Sequence, residues 1–193
     1  MIEAKSKMQI MNFLELAQTR QSDRAFDVNR PVEREKIERI LEAARLAPSA
    51  CNSQPWHFIV VDEPELKNKV ADATSARALG MNHFTKQAPV HIVLVEEKTN
   101  FSSALGGFVK KKDYAQMDLG FAAAHIALAA QAEGLGSCIL GWFDEPKMRK
   151  LLNIPKSKRI WLSICIGYST QPLREKKRKP FDEVVSYNNY KIV

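Results

Sequence analysis

The stretch that most limits the fold is Gly120-Phe121-Ala122-Ala123-Ala124-His125-Ile126-Ala127-Leu128-Ala129-Ala130. The pattern predicts a helix over 113–132, closed by Gly134-Leu135-Gly136. Apolar residues occupy nearly its whole circumference. Such a helix persists only where most of its sides are covered, by a core or by another subunit. With 193 residues the chain reads as one domain, 1–193, whose last part, 170–193, forms an arm. A chain this short has a small interior, so burial of the helix in a dimer is expected. Arginine at Ala123 or Ala127 is then expected to split or unfold that dimer, because it would bury an unpaired charge.

Helices and strands alternate along the rest. Ile10, Phe13, Leu14 and Ala17 share one face of a predicted helix over 10–19. A second is predicted over 33–46, with Ile37, Ile40, Leu41 and Ala44 inward. Pro64 opens a third, to Ala73, and Asp144 caps a fourth that runs through Leu152. Residues 57–61 read as a buried strand, 90–96 and 160–167 as further strands, and Ser137–Leu140 as a short one. The segment 100–112, with Gly106-Gly107 and Lys110-Lys111-Lys112, reads as a mobile excursion. Interleaving of this kind indicates an α+β or α/β sandwich.

The formal charge of +7 brings nucleic acid into consideration as a partner. Much of the excess sits in Arg174-Glu175-Lys176-Lys177-Arg178-Lys179, and no aromatic residue interleaves it. A nucleic-acid-binding protein is therefore the distant alternative. No apolar run is long enough to span a membrane, and the first residues lack a secretory signal pattern. Cys51, Cys138 and Cys165 are odd in number and widely spaced, which fits a reducing cytoplasm better than a disulfide framework. His57, His83, His91 and His125 lack metal-ligand spacing and read as core or surface residues. Gly134-Leu135-Gly136 is not a dinucleotide fingerprint, because Ile139 stands where the third glycine belongs and a helix precedes it.

Two short motifs carry the chemistry. Arg20-Gln21-Ser22-Asp23-Arg24 offers two guanidiniums and a hydroxyl, suited to a phosphate. Its plain alternative is a solvated basic turn. Pro48-Ser49-Ala50-Cys51-Asn52-Ser53-Gln54-Pro55-Trp56 holds a hydroxyl and two amides on a backbone stiffened by prolines. Its plain alternative is a loop that caps its own turns. Together the two suit a ligand with an anionic end and a flat end rich in acceptors. Flavin mononucleotide (FMN) has both.

Together with Phe26, Gly134-Leu135-Gly136-Ser137-Cys138-Ile139-Leu140-Gly141 and Lys176-Lys177-Arg178-Lys179-Pro180, these motifs resemble the FMN-dependent nitroreductase family. The resemblance spans residues 20 to 180. It implies an α+β, nitroreductase-like fold with a central mixed β-sheet flanked by helices. It also implies a homodimer with FMN between subunits and a C-terminal arm crossing to the partner. Carried over by position, Arg20 and Ser22 would contact the phosphate and ribityl end, Lys176 and Arg178 would complete the phosphate site, and Gln21 would be a further cofactor contact. Arg24 would lie near the pyrimidine edge of the ring. Pro48, Ser49 and Ala50 would line the ring or ribityl chain from the other subunit, with Asn52 close by, and Leu140 and Gly141 would bring a backbone N–H near N5. Asn82 would add a ring contact. The implied activity is a ping-pong oxidoreductase that takes hydride from NADH or NADPH and reduces a nitroaromatic, quinone or similar flat acceptor. Dehalogenation and flavin breakdown are alternative chemistries on the same fold. No catalytic acid or base and no metal is implied.

Overall fold

The structure, a computed structural model, describes residues 12–75, 80–100 and 112–190. The segment expected to be a mobile excursion lies outside them from 101 to 111. Four strands form one sheet: β1 (Trp56–Val61), β2 (Val90–Glu96), β3 (Gly136–Leu140) and β4 (Ile160–Gly167), in the order β1-β2-β4-β3. All three strand pairings are antiparallel. The parallel component of the expected mixed sheet is an isolated bridge between Ser22 and Ser137.

Six helices surround the sheet among the described residues: α1 (Phe13–Thr19), α2 (Arg34–Arg45), α3 (Pro64–Thr74), α4 (Tyr114–Ala132), α5 (Glu145–Leu151) and α6 (Phe181–Val184). Alternate residues of β2 face opposite layers, as strand geometry requires. Ile92 and Leu94 join Ile164 and Ile166 beneath α2 and α4. Val93 and Val95 join Val70, Ala73 and Met148 beneath α3 and α5. Local signals start the helices where expected. Glu63 accepts from the Glu65 and Leu66 N–H groups ahead of α3, and Asp144 accepts from Lys147 N at 2.9 Å ahead of α5. After α4, Gly134 takes a φ of +73°, a left-handed conformation that ends the helix.

Three expectations change. Helix α4 is only partly covered by its own chain. Leu119, Ala122, Ala123 and Ile126 are buried in the core, while Met117 and Phe121 on the other side are each 49% exposed. Ala123 and Ala127 are buried within the chain, so arginine there tests folding rather than a subunit contact. In α1, Phe13 and Leu14 are exposed and no residue of the helix is buried. The run 57–61 belongs to an edge strand that is half-buried, with His57 exposed, because only β2 pairs with it.

One buried polar group stands out on β4. The hydroxyl of Ser163 is fully buried, with no hydrogen-bond partner among the described residues. An unpaired buried hydroxyl costs about 1–3 kcal/mol, so Ser163→Ala is expected to raise stability by about 1 kcal/mol. Urea unfolding measures this, and a lower midpoint in the variant would contradict it.

Candidate functional site

Residues 20–24 leave α1 in an extended path along the edge of β3. Ser22 bridges Ser137, and the Asp23 N–H donates to Ser137 O at 2.9 Å. The arm after β4 returns along the same segment. Gln171 Oε1 accepts from Arg24 N at 2.7 Å, and Arg174 Nη2 donates to Ser22 O at 2.7 Å. Lys176 Nζ donates to Arg20 O. Between the two segments lies a cavity of about 460 Å³, lined by Arg20, Gln21, Ser22, Arg24, Arg174, Glu175, Lys176, Lys177 and Arg178.

Six cationic side chains against one carboxylate give this cavity a strongly positive lining. The crowding is visible in Lys176. Partial burial of its ammonium, then the neighbouring Arg20, Arg178 and Arg174 guanidiniums, holds it below the ordinary lysine range, while the Asp23 carboxylate pulls it back up. An anion would relieve that repulsion. Guanidiniums and a serine hydroxyl fit a phosphate, so the donor set suits the anionic end of FMN.

The loop 48–54 is built differently. Cys51, Asn52 and Gln54 all have φ near +50°, a costly conformation for residues other than glycine. Internal bonds hold it. Ser49 Oγ accepts from Gln54 N at 2.9 Å, and Gln54 Nε2 donates to Asn52 O at 3.2 Å. Asn100 Nδ2 donates to Cys51 O at 2.9 Å. Below the loop, both oxygens of buried Asp118 on α4 accept from Ala50 N at 3.1 Å. Burial pushes the Asp118 carboxyl above the usual range, and the Ala50 N–H opposes that shift.

The single chain therefore assembles two separate groups. Arg20, Gln21, Ser22, Arg24, Lys176 and Arg178 share one cavity. Pro48, Ser49, Ala50 and Asn52 do not line it. Ser49 is occupied in capping its own loop, as the plain reading of that motif has it. Leu140 is buried beside Phe26, Cys138 and Cys165, whereas Gly141 at the end of β3 is exposed. Asn82 is left-handed, and its Nδ2 donates to Thr74 O at 3.0 Å, at the end of α3.

Sequence reasoning missed Arg174, Asp23 and Asp118. Arg174 opens the basic run, and Asp118 is the one carboxylate inside the apolar helix, so both had a visible signal. Burial also acts on two cysteines. It raises the Cys138 and Cys165 thiols, which makes them poor nucleophiles. No group of His, Cys, Asp or Glu able to hold a metal occurs among the described residues. Nor is any helix among them long and apolar enough to cross a membrane.

The model of the Nitroreductase family matches residues 17–81 and 74–168. The oxygen-insensitive NADPH nitroreductase of Helicobacter acinonychis is 29% identical over 204 residues, covering 90% of this chain and 95% of its own. Iodotyrosine deiodinase 1 of Rattus norvegicus is 26% identical over 207 residues, covering 95% of this chain and 72% of its own. Among solved structures, an FMN-dependent nitroreductase from Clostridium difficile superposes with a TM-score of 0.72 at 30% identity, covering 92% of this chain and 99% of its own.

Proposed function

The chain belongs to the nitroreductase family, and we propose that it is an FMN-dependent NAD(P)H oxidoreductase acting as a homodimer. The observation that carries this reading is the cavity in which Arg20, Ser22, Arg174, Lys176 and Arg178 converge from segments some 150 residues apart. When bound, the flavin would supply hydride acceptance at N5 and electron delivery to a nitroaromatic, quinone or similar flat acceptor, in a ping-pong cycle.

The protein's own groups bind and orient. Arg20, Ser22, Lys176 and Arg178 hold the phosphate. Arg24 sets a positive charge beside the pyrimidine edge, where reduction places negative charge. Gly141, exposed at the end of β3, offers a backbone N–H to the ring. Pro48, Ser49, Ala50 and Asn52 are assigned to the second subunit's half of the site, since they stand apart from the cavity of their own chain. The strained loop keeps its shape through Asp118, so it meets the ligand preformed. No side chain is assigned as acid or base.

Dimerisation is supported by the apolar surface one chain leaves open. Met117 and Phe121 on α4, Phe13 and Leu14 on α1, and Phe181, Val184 and Tyr187 in the arm are all exposed. A second copy is the proposed cover for them and the proposed source of the loop 48–54 that completes each cavity. The basic run turns inward on residues 20–24, which favours a small anion over nucleic acid. Likeness to an iodotyrosine deiodinase over most of the chain keeps reductive dehalogenation as the second reading.

A visible spectrum tests the main reading. The purified protein, given FMN, is expected to retain flavin absorbance that bleaches with NADH or NADPH. Protein that remains colourless after FMN addition overturns it. Arg20→Ala removes a charged phosphate partner and is expected to weaken FMN binding by about 1.5–3 kcal/mol, roughly ten- to a hundredfold. Flavin fluorescence titration reads the loss, and an unchanged dissociation constant would remove Arg20 from the site.

A further inference from the structure

We propose that Asp23 and Gln21 are positioning residues that latch the basic arm onto its strand and so preform the anion cradle within one subunit. The role of the cradle rests on the flavin-phosphate reading above. The latch itself rests on bonds within the chain.

Asp23 lies in sequence between the cavity-lining Ser22 and Arg24 and is 2% exposed. Its carboxylate accepts from three places. Gln21 Nε2 at 3.0 Å and Ser169 Oγ at 2.6 Å donate to Oδ1, and Ser137 N at 3.2 Å donates to Oδ2. Room for the group is made by Gly136, where a Cβ would lie 2.7 Å from Oδ2. An ionised carboxylate only accepts hydrogen bonds, so it fixes which end of the Gln21 amide faces it. Nε2 points inward, where it also reaches Pro172 O at 3.2 Å. Oε1 therefore points outward and accepts from Arg174 N at 3.1 Å. Ser169 Oγ, held by Asp23, accepts in turn from Gln171 N at 3.1 Å.

One buried carboxylate thus organises two routes into the arm. One runs through Gln21 to Pro172 and Arg174, the other through Ser169 to Gln171. Arg174 then reaches Ser22 O and Lys176 reaches Arg20 O. Without such ties, the six cations around the cavity would repel one another and drive the arm off the strand. An arm already in place spares the ligand the ordering cost of closing it.

Two neutral or near-isosteric variants test this. Gln21→Met keeps length and charge but removes all four side-chain bonds, the 3.5 Å bond from Arg174 Nε to Oε1 among them. Amides of 171–178 are expected to exchange with deuterium about tenfold faster in it, and FMN to bind about tenfold more weakly, the loss of one to two net hydrogen bonds. Riboflavin, which has the ring but no phosphate, is expected to bind within about twofold of wild type, because the ring contacts are untouched. Asp23→Asn removes a negative charge from beside the cations. A purely electrostatic role predicts tighter FMN binding, whereas a positioning role predicts weaker binding, because the new amide N–H₂ meets the Ser137 N–H.

Unchanged exchange of the arm in Gln21→Met overturns the proposal. So does tighter FMN binding in Asp23→Asn, or an equal loss for riboflavin. If Asp23→Asn does not fold, Gln21→Met, at a half-buried position, decides alone. A wild-type protein that binds neither flavin overturns the flavin reading instead, and the exchange result then decides the latch by itself.

Discussion

Arginine at Ala123 is expected to abolish the folded chain, whereas arginine at Phe121 leaves it folded. The two residues lie two positions apart on α4 and on different sides of it. Ala123 is 2% exposed and packed in the core beneath the sheet. An arginine there both overpacks the layer and buries an unpaired charge, at a cost of about 5 kcal/mol or more, comparable with the whole stability of a domain. Phe121 faces away from the core. Phe121→Arg is expected to change the unfolding free energy of the isolated chain by about 0.5 kcal/mol or less, as exposed substitutions do. Its effect falls on association, since the guanidinium would enter the proposed subunit contact unpaired. Circular dichroism and sedimentation separate the outcomes. A folded Ala123→Arg would mean that the helix is rotated from its position here, and a dimeric Phe121→Arg would place the subunit contact elsewhere.

Acidification is expected to remove about 2 kcal/mol of stability between pH 7 and pH 5, and about 3 kcal/mol at the limit, through His91. This histidine is fully buried on β2, with Nε2 3.1 Å from Thr85 O and Nδ1 3.8 Å from Cys165 Sγ. Burial pushes its pKa down to about 4, against the opposing bond from the Thr85 carbonyl. The unfolded chain, with an ordinary histidine near 6.5, takes up the proton first. The contribution is therefore complete above pH 6.5 and drains away as the pH falls toward 4. Asp118 acts with the opposite sign. Its raised carboxyl pKa means that its contribution is lost as the pH rises, so acidification partly restores it. Urea unfolding of wild type and His91→Gln at pH 7 and pH 5 isolates the histidine. Equal pH dependence in the two proteins would show that another group controls the loss.

The strands and the core were the most legible part of the sequence. The runs at 90–96 and 160–167 match β2 and β4 residue for residue, because strands covered on both faces need apolar side chains throughout. Pro64 at the start of α3, the cap at Asp144 and the stop at Gly134 act within a few residues, and short-range signals are the ones a sequence displays directly. Arg20, Ser22, Lys176 and Arg178, far apart along the chain, line one cavity. The exposure of Phe13, Leu14 and one side of α4 was not legible. An apolar stripe that awaits another surface has the same spacing as one that faces its own core. Asp23 was hidden for a similar reason. A carboxylate between two arginine-bearing positions looks like a solvated charge until the fold brings Ser137 and Ser169 to it from residues more than a hundred positions away.

The separation of residues 20–24 from 174–178 has a consequence for biosynthesis. The two halves of the cationic pocket are synthesised some 150 residues apart, and the second follows the last sheet strand among the described residues. A nascent chain on the ribosome can form its helices and pair β1 with β2 long before that pocket exists. On the proposed reading, loading of an anionic coenzyme there would therefore follow completion of the sheet.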